Sequence, residues 1–191
     1  ELLGADVLKE DDDGELRFSL KARSALLSGL PRERRQTLHQ VAAQSLEEDA
    51  RRRRQKVDLE LLAKHHLEGG EPAKALQRML QAARAALEAS ATQSAAELVQ
   101  KARELFQREF LESNTTQSQR LRADLVMLRL DVLASAGEHR ECVALARRRL
   151  EDLGHHLDTT RRAELLLRLS DNERAVGELD EGLEHARQVL A

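Results

Sequence analysis

Tryptophan and tyrosine are absent from this chain of 191 residues, and phenylalanine occurs three times. A β-sandwich or barrel needs aromatic and β-branched strands punctuated by turns rich in glycine and proline. Nine glycines and two prolines do not supply them. The one cysteine, Cys142, leaves no internal disulfide and no thiolate metal cluster, and fits a reducing compartment. No apolar run approaches the roughly 20 residues that a membrane-spanning helix requires. Neither the Gly-rich turn of dinucleotide folds nor a Walker-type Gly-x-x-x-x-Gly-Lys-Ser/Thr loop occurs. An excess of basic charge is also missing: 31 Lys and Arg against 34 Asp and Glu give a net charge of −3, which argues against a dedicated nucleic-acid binder. The opening Glu1-Leu2-Leu3-Gly4-Ala5-Asp6 has neither the basic start nor the apolar stretch of a signal peptide. It does not open on Met, and a piece of a longer protein is the expectation.

What is abundant is Leu, Ala, Glu, Arg and Gln, the residues that lose least on entering a helix. The exception comes first. Asp11-Asp12-Asp13-Gly14 separates two short mixed segments, the second with Leu16 and Phe18 alternating with Arg17 and Ser19. This predicts a β-hairpin, which needs support because an isolated hairpin is marginal in water. A short helix is expected from Leu20 to Leu30, stopped by Gly29. From Pro31 onward the periodicity predicts helices almost without break. The first runs from Arg32 to about Arg54 with Leu38, Val41, Ala42, Leu46 and Ala50 on its apolar face. The others cover about Val57–Glu68, Pro72–Leu87, Thr92–Phe110, Gln117–Ala136, Glu138–Leu153 and Thr159–Val176, and the last follows Gly177 to the end. Pro31 and Pro72 suit first helical positions. Ser113-Asn114-Thr115-Thr116 reads as a loop, Asp158-Thr159-Thr160 as an N-cap cluster, and Gly154 as a C-cap. Short connections between helices imply antiparallel hairpins.

One pattern recurs. Gly70-Glu71 is followed by Ala75, Gly137-Glu138 by Cys142 and Gly177-Glu178 by Gly182, each time with a small residue five positions after the first glycine. Leu62 and Ala63 stand eight and seven residues before Gly70, and Ala82 twelve after it. This arrangement resembles the turn of a tetratricopeptide hairpin, in which small residues let two helices approach closely. The interval from Gly70 to Gly137 is 67 residues, near twice the repeat of about 34, so a degenerate repeat is expected around Ala91–Phe110. The interval from Gly137 to Gly177 is 40. Arg129 stands where a leucine is expected, and Gly182 where alanine is usual. The opening hairpin, Phe18-Ser19, then Leu30-Pro31-Arg32-Glu33-Arg34-Arg35 and Leu38-His39, is similar to the end of the winged-helix region in bacterial STAND-type signalling ATPases, which include large LuxR-type regulators and kinase or cyclase fusions. In that family tetratricopeptide-like repeats follow. The resemblance implies a winged-helix-like end over residues 1–30 and helical repeats over 31–191. The expected fold is therefore all-α, a superhelical array of antiparallel helix hairpins with a short N-terminal β-hairpin.

Reactive constellations are missing. The pairs His65-His66 and His155-His156 diverge by about 100° on a helix and do not chelate one ion, and no His-Glu-x-x-His is present. Asp11–Gly14 lacks the later ligands of a calcium loop, and no nucleophile elbow surrounds a serine. No catalytic, metal-binding or cofactor-binding residue is assigned, and no enzymatic activity is expected. The basic runs Arg51-Arg52-Arg53-Arg54 with Lys56 and Arg147-Arg148-Arg149 read as solvated faces, the first paired with Glu47-Glu48-Asp49. Cys142 and His66 read as inward packing positions. The repeat resemblance implies a groove lined by Glu60, Lys64, Asp124, Met127, Asp131, Glu164, Leu167 and Asp171. That mostly acidic set favours a basic or mixed peptide. The functional expectation is protein–protein interaction: a cytoplasmic sensor or scaffold arm that binds a partner, or the ATPase core of its own polypeptide, with no membrane contact. A nucleic-acid-binding helical repeat and a self-association module are the alternatives.

Overall fold

The computed structural model describes residues 8–10, 16–18, 29–153 and 158–190, and among them the regular structure is α-helical apart from two three-residue strands. The expected Asp-Gly turn, the short helix before Gly29, the Gly154 cap and the His155-His156 pair lie outside the described residues. Two compact units divide after Glu71.

In the first unit, β1 (Leu8–Glu10) pairs antiparallel with β2 (Leu16–Phe18), Leu8 opposite Phe18 and Glu10 opposite Leu16. Helix α1 spans Arg32–Arg53 and α2 spans Leu59–Glu68. Pro31 lies just outside α1, as the extended N-cap residue (φ −53°, ψ 147°), rather than at the first helical position. Asp58 caps α2 by accepting from the Leu61 N–H at 3.0 Å. Helices α1 and α2 pack together, but not through the face that apolar spacing selects. Leu38 and Val41 are 46% and 52% exposed, whereas Ala43 is buried. The side of α1 turned to α2 carries Gln36, His39 and Gln40. The Gln40 amide donates to the Gly69 carbonyl at 2.7 Å, and the Nδ1 atoms of His39 and His65 lie at hydrogen-bond distance, 3.0 Å apart. Gln36 lies so close to Gly70 that a Cβ there would be 2.8 Å from its Nε2. Of these polar side chains, Gln40 satisfies a carbonyl at the end of α2.

The second unit contains α3 (Pro72–Glu88), α4 (Thr92–Phe110), α5 (Thr116–Ser135), α6 (His139–Leu153), α7 (Thr159–Val176) and α8 (Leu179–Leu190). Each helix packs on the next, and α3 also meets α5 and α5 meets α7. Pro72 opens α3 as expected. Thr115 and Asp158 cap α5 and α7, accepting from the Ser118 and Arg161 N–H groups at 3.2 and 2.8 Å. The Ser118 hydroxyl, buried, donates to carbonyls of the Ser113–Thr115 turn, which fixes that loop. One core cluster joins Leu130 and Leu133 of α5, Cys142, Val143 and Ala146 of α6, and Leu165 and Leu169 of α7.

The corners share one geometry. Gly70, Gly137 and Gly177 have φ of +75°, +77° and +91°. Each glycine N–H bonds the carbonyl three residues back, and the following Glu N–H bonds the one five back. This is the Schellman pair, which requires a left-handed residue. The same pair forms at Arg54 (φ 52°) and Ser90 (φ 58°). Ser90 supplies a corner where no Gly-Glu marks one, and Ala95, five residues later, is fully buried as at the glycine corners. After two of the glycine corners the small residue does what small size permits. Cys142 Sγ sits 3.5 Å from the Leu130 carbonyl. A Cβ on Gly182 would come within 3.1 Å of the Ser170 carbonyl, and the Ser170 hydroxyl donates to the Gly182 carbonyl at 2.6 Å.

Candidate functional site

The eight groove residues expected from sequence do not form one free acidic surface. In the first unit, Glu60 and Lys64 are exposed one turn apart on α2. In the second unit, Asp124 and Asp131 lie half-buried on α5 and are engaged by arginines of α7. Asp124 Oδ1 accepts from Arg161 Nη2 at 3.1 Å, and Arg84 of α3 approaches it at 4.0 Å. Asp131 takes both arms of Arg168, Nε to Oδ1 at 2.6 Å and Nη2 to Oδ2 at 3.2 Å. This fork raises the Arg168 pKa above its ordinary value, chiefly through the Asp131 hydrogen bonds and against the effect of burial. Acids at 124 and 131 meet bases at 161 and 168 in the same order. Helices α5 and α7 therefore run parallel along this seam, with one rung every two turns.

Met127, half-buried, packs against the core cluster. Glu164, Leu167 and Asp171 remain outward on α7, with Leu167 47% exposed. Their spacing of three and four residues places them on one face. Among the described residues, Asp171 reaches only Arg174, at 3.9 Å. What the structure leaves open from the expected set in this unit is thus a narrow stripe with one apolar residue between two carboxylates.

A second polar constellation was not visible in the sequence. Glu173 of α7 is wholly buried. Its Oε1 accepts from Arg147 Nε and Nη2 at 3.1 and 2.7 Å, and its Oε2 lies 2.8 Å from His185 Nδ1 of α8. Arg147 also bridges to Glu178. These partners raise the Arg147 pKa, the Glu173 hydrogen bond first. The carboxylate ties α6, α7 and α8 together. Beside it, His139 Nδ1 meets Asn172 Oδ1 at 2.8 Å, while the Asn172 amide donates to the Arg168 carbonyl at 2.7 Å. The only trace of this network in the sequence is position: Glu173 stands four residues before a corner glycine, as His66 does. His66 is also buried, its Nδ1 2.8 Å from Glu71 Oε2.

Cys142 is fully buried, and its thiol is pushed up to about 11 by burial first and by the Asp131 carboxylate second. It is an inert packing thiol. Among the described residues, no group of three or more His, Cys, Asp or Glu side chains could hold a metal ion. Among them, also, no helix is long and apolar enough to cross a membrane. The chain matches no protein-family model, no curated protein and no solved structure.

Proposed function

We propose that this chain is a protein-interaction module, a sensor or scaffold arm built from tetratricopeptide-like helix hairpins in a superhelical stack. The observation that carries this reading is the repeated corner. The same left-handed Schellman turn, with a small buried residue five positions later, occurs at Gly137 and Gly177. Within the second unit, helices pack on their neighbours and next neighbours. A chain built in that way offers extended surface, and side chains rather than a reactive cavity supply its chemistry. In the second unit, the exposed Glu164, Leu167 and Asp171 stripe on α7 is the contact face we assign from the expected groove. In the first unit, Glu60 and Lys64 are exposed on α2 and are assigned separately.

The partner is a protein or peptide, with the ATPase core of the same polypeptide as the first candidate. The paired strands β1 and β2 ahead of the helices support the likeness to a winged-helix end, and hence to a bacterial STAND-type regulator in the cytoplasm. Binding would bias that larger protein between resting and assembled states. The module itself performs no catalysis in this reading.

The test uses the complete polypeptide. A Walker-type phosphate loop should be encoded upstream of Glu1. The pair Leu167→Asp and Glu164→Lys, both on exposed positions, should change the ATP hydrolysis rate or assembly state severalfold while leaving the melting temperature in place. An absent phosphate loop, or an unchanged rate and assembly state, overturns the proposal.

A further inference from the structure

The two carboxylates at the centre of the expected groove are already taken by Arg161 and Arg168. Another face carries the opposite charge without such compensation. Arg122 and Arg129 lie two turns apart on α5 and are both half-buried. Arg148 and Arg149 lie on α6, which packs on α5. Among the described residues, neither Arg122 nor Arg129 makes an ion pair or a hydrogen bond through its side chain. Among the described residues, Asp152 is the one acid that serves the other two, 3.8 Å from Arg148 Nε and 3.7 Å from Arg149 Nη1. Arg149 is partly withdrawn from water, with its side chain 32% exposed, and its Nε is buried without a hydrogen-bond partner. Burial holds its pKa below the ordinary arginine value. Asp152 opposes that shift, and the nearby charges of Arg148, Arg122 and Arg129 add to it. The guanidinium of Arg122 is placed 5.5 Å above the Phe106 ring of α4, so it is stacked rather than free to swing away.

Like charges gathered with one shared counter-ion, one of them with a dry unpaired N–H, form an arrangement that an incoming anion would complete. Arginine forks suit planar carboxylates and phosphates. The aromatic residue decides against nucleic acid. Phe106 is 5% exposed and lies under Arg122, so the ring within this cluster is not offered for base stacking.

We infer that the Arg122–Arg129–Arg149 face, between α5 and α6, docks an acidic protein segment that presents Asp or Glu carboxylates. This rests on the interaction-module reading and gives its partner a charge opposite to the one the groove residues suggested from sequence.

The experiment measures fluorescence anisotropy of a labelled oligoglutamate peptide on the whole chain. Oligolysine, oligodeoxythymidine and inorganic phosphate serve as competitors. Oligoglutamate should bind at low ionic strength and weaken as salt rises. The R129Q/R149Q variant should lose about tenfold or more in affinity, and R51Q/R52Q on α1 should lose nothing. If R129Q/R149Q does not fold, R129K/R149K carries the comparison. It keeps the charge and loses the fork, and a severalfold loss is expected. Failure to bind oligoglutamate, undiminished binding in the arginine variants, stronger competition by oligodeoxythymidine, or full displacement by inorganic phosphate at matched charge would each overturn the inference. The two proposals separate cleanly. A partner sensitive to the α7 stripe but indifferent to R129Q/R149Q removes only the acidic-segment inference. Oligoglutamate binding through the arginines, with an unaltered full-length ATPase, removes only the sensor reading.

Discussion

Glu173 is an acid in a place where helical hairpins more often put an apolar side chain, and its cost of burial is offset by Arg147 and His185. Its removal by Glu173→Ala leaves Arg147 with Glu178 and with access to solvent. The expected loss is therefore about 1–3 kcal/mol, below the full penalty of a stranded buried charge, as measured by urea unfolding. Cys142 makes a pH prediction. Its thiol ionises near 9.0 when unfolded and only near about 11 in the fold. The neutral form is the one the fold favours, so this contribution is complete below pH 9.0 and declines as pH rises toward 11. Cys142→Ala should flatten that part of the stability profile, and the native thiol should resist alkylation at neutral pH. Gly182 and Gly137 are opposite cases. Gly182→Leu forces atoms against the Ser170 carbonyl, 3.1 Å from a Cβ, and should cost about 1–3 kcal/mol. Gly137→Ala meets open space but keeps φ at +77°, and about 1–2 kcal/mol is expected. Small residues after glycine corners were legible in the sequence because a corner leaves a local mark. The ion pairs of Glu173 were not, since Arg147 lies 26 residues away and no periodicity encodes such a distance.

At the scale of elements, helix positions followed from apolar spacing and caps: Asp158 and Pro72 both stand where their chemistry predicts. The inward face of α1 did not. Leu38 and Val41 satisfy the helical period, yet Gln36, His39 and Gln40 occupy the contact, where Gln40 donates to the Gly69 carbonyl and His39 meets His65. A pattern search sees only hydrophobicity and misses a polar interface. The corner at Ser90 was hidden for a related reason. Serine tolerates φ of +58° at a cost that glycine avoids. Ser90→Gly should stabilise the chain by about 0.5–1 kcal/mol, read as a rise in the urea midpoint at constant slope. A fall would mean that the serine side chain has a role the corner does not require. Of the candidate contact residues, Glu164, Leu167 and Asp171 keep the exposure that spacing gave them. Asp124 and Asp131 are diverted by arginines 37 residues further on.

Within the second unit, each helix packs on its neighbour in sequence, and α5 also packs on α3 and α7. Helix α5 meets α3, α4, α6 and α7, whereas α8 rests chiefly on α7. Hydrogen exchange should therefore be slowest in α5 and fastest in α8, and uniform protection across the unit would contradict this picture. The Asp131–Arg168 rung joins two half-exposed groups. A double-mutant cycle should give a coupling of about 0.5–1 kcal/mol that shrinks with added salt. The way these rungs are divided has an evolutionary side. Because α5 contributes only the acids and α7 only the bases, the two helices are not interchangeable parts. Duplicating α5 alone would leave a second pair of aspartates without these arginines, and duplicating α7 alone a second pair of arginines without these aspartates. Growth of such a chain by copying its own segments is thus restricted to copies that carry both sides of the seam.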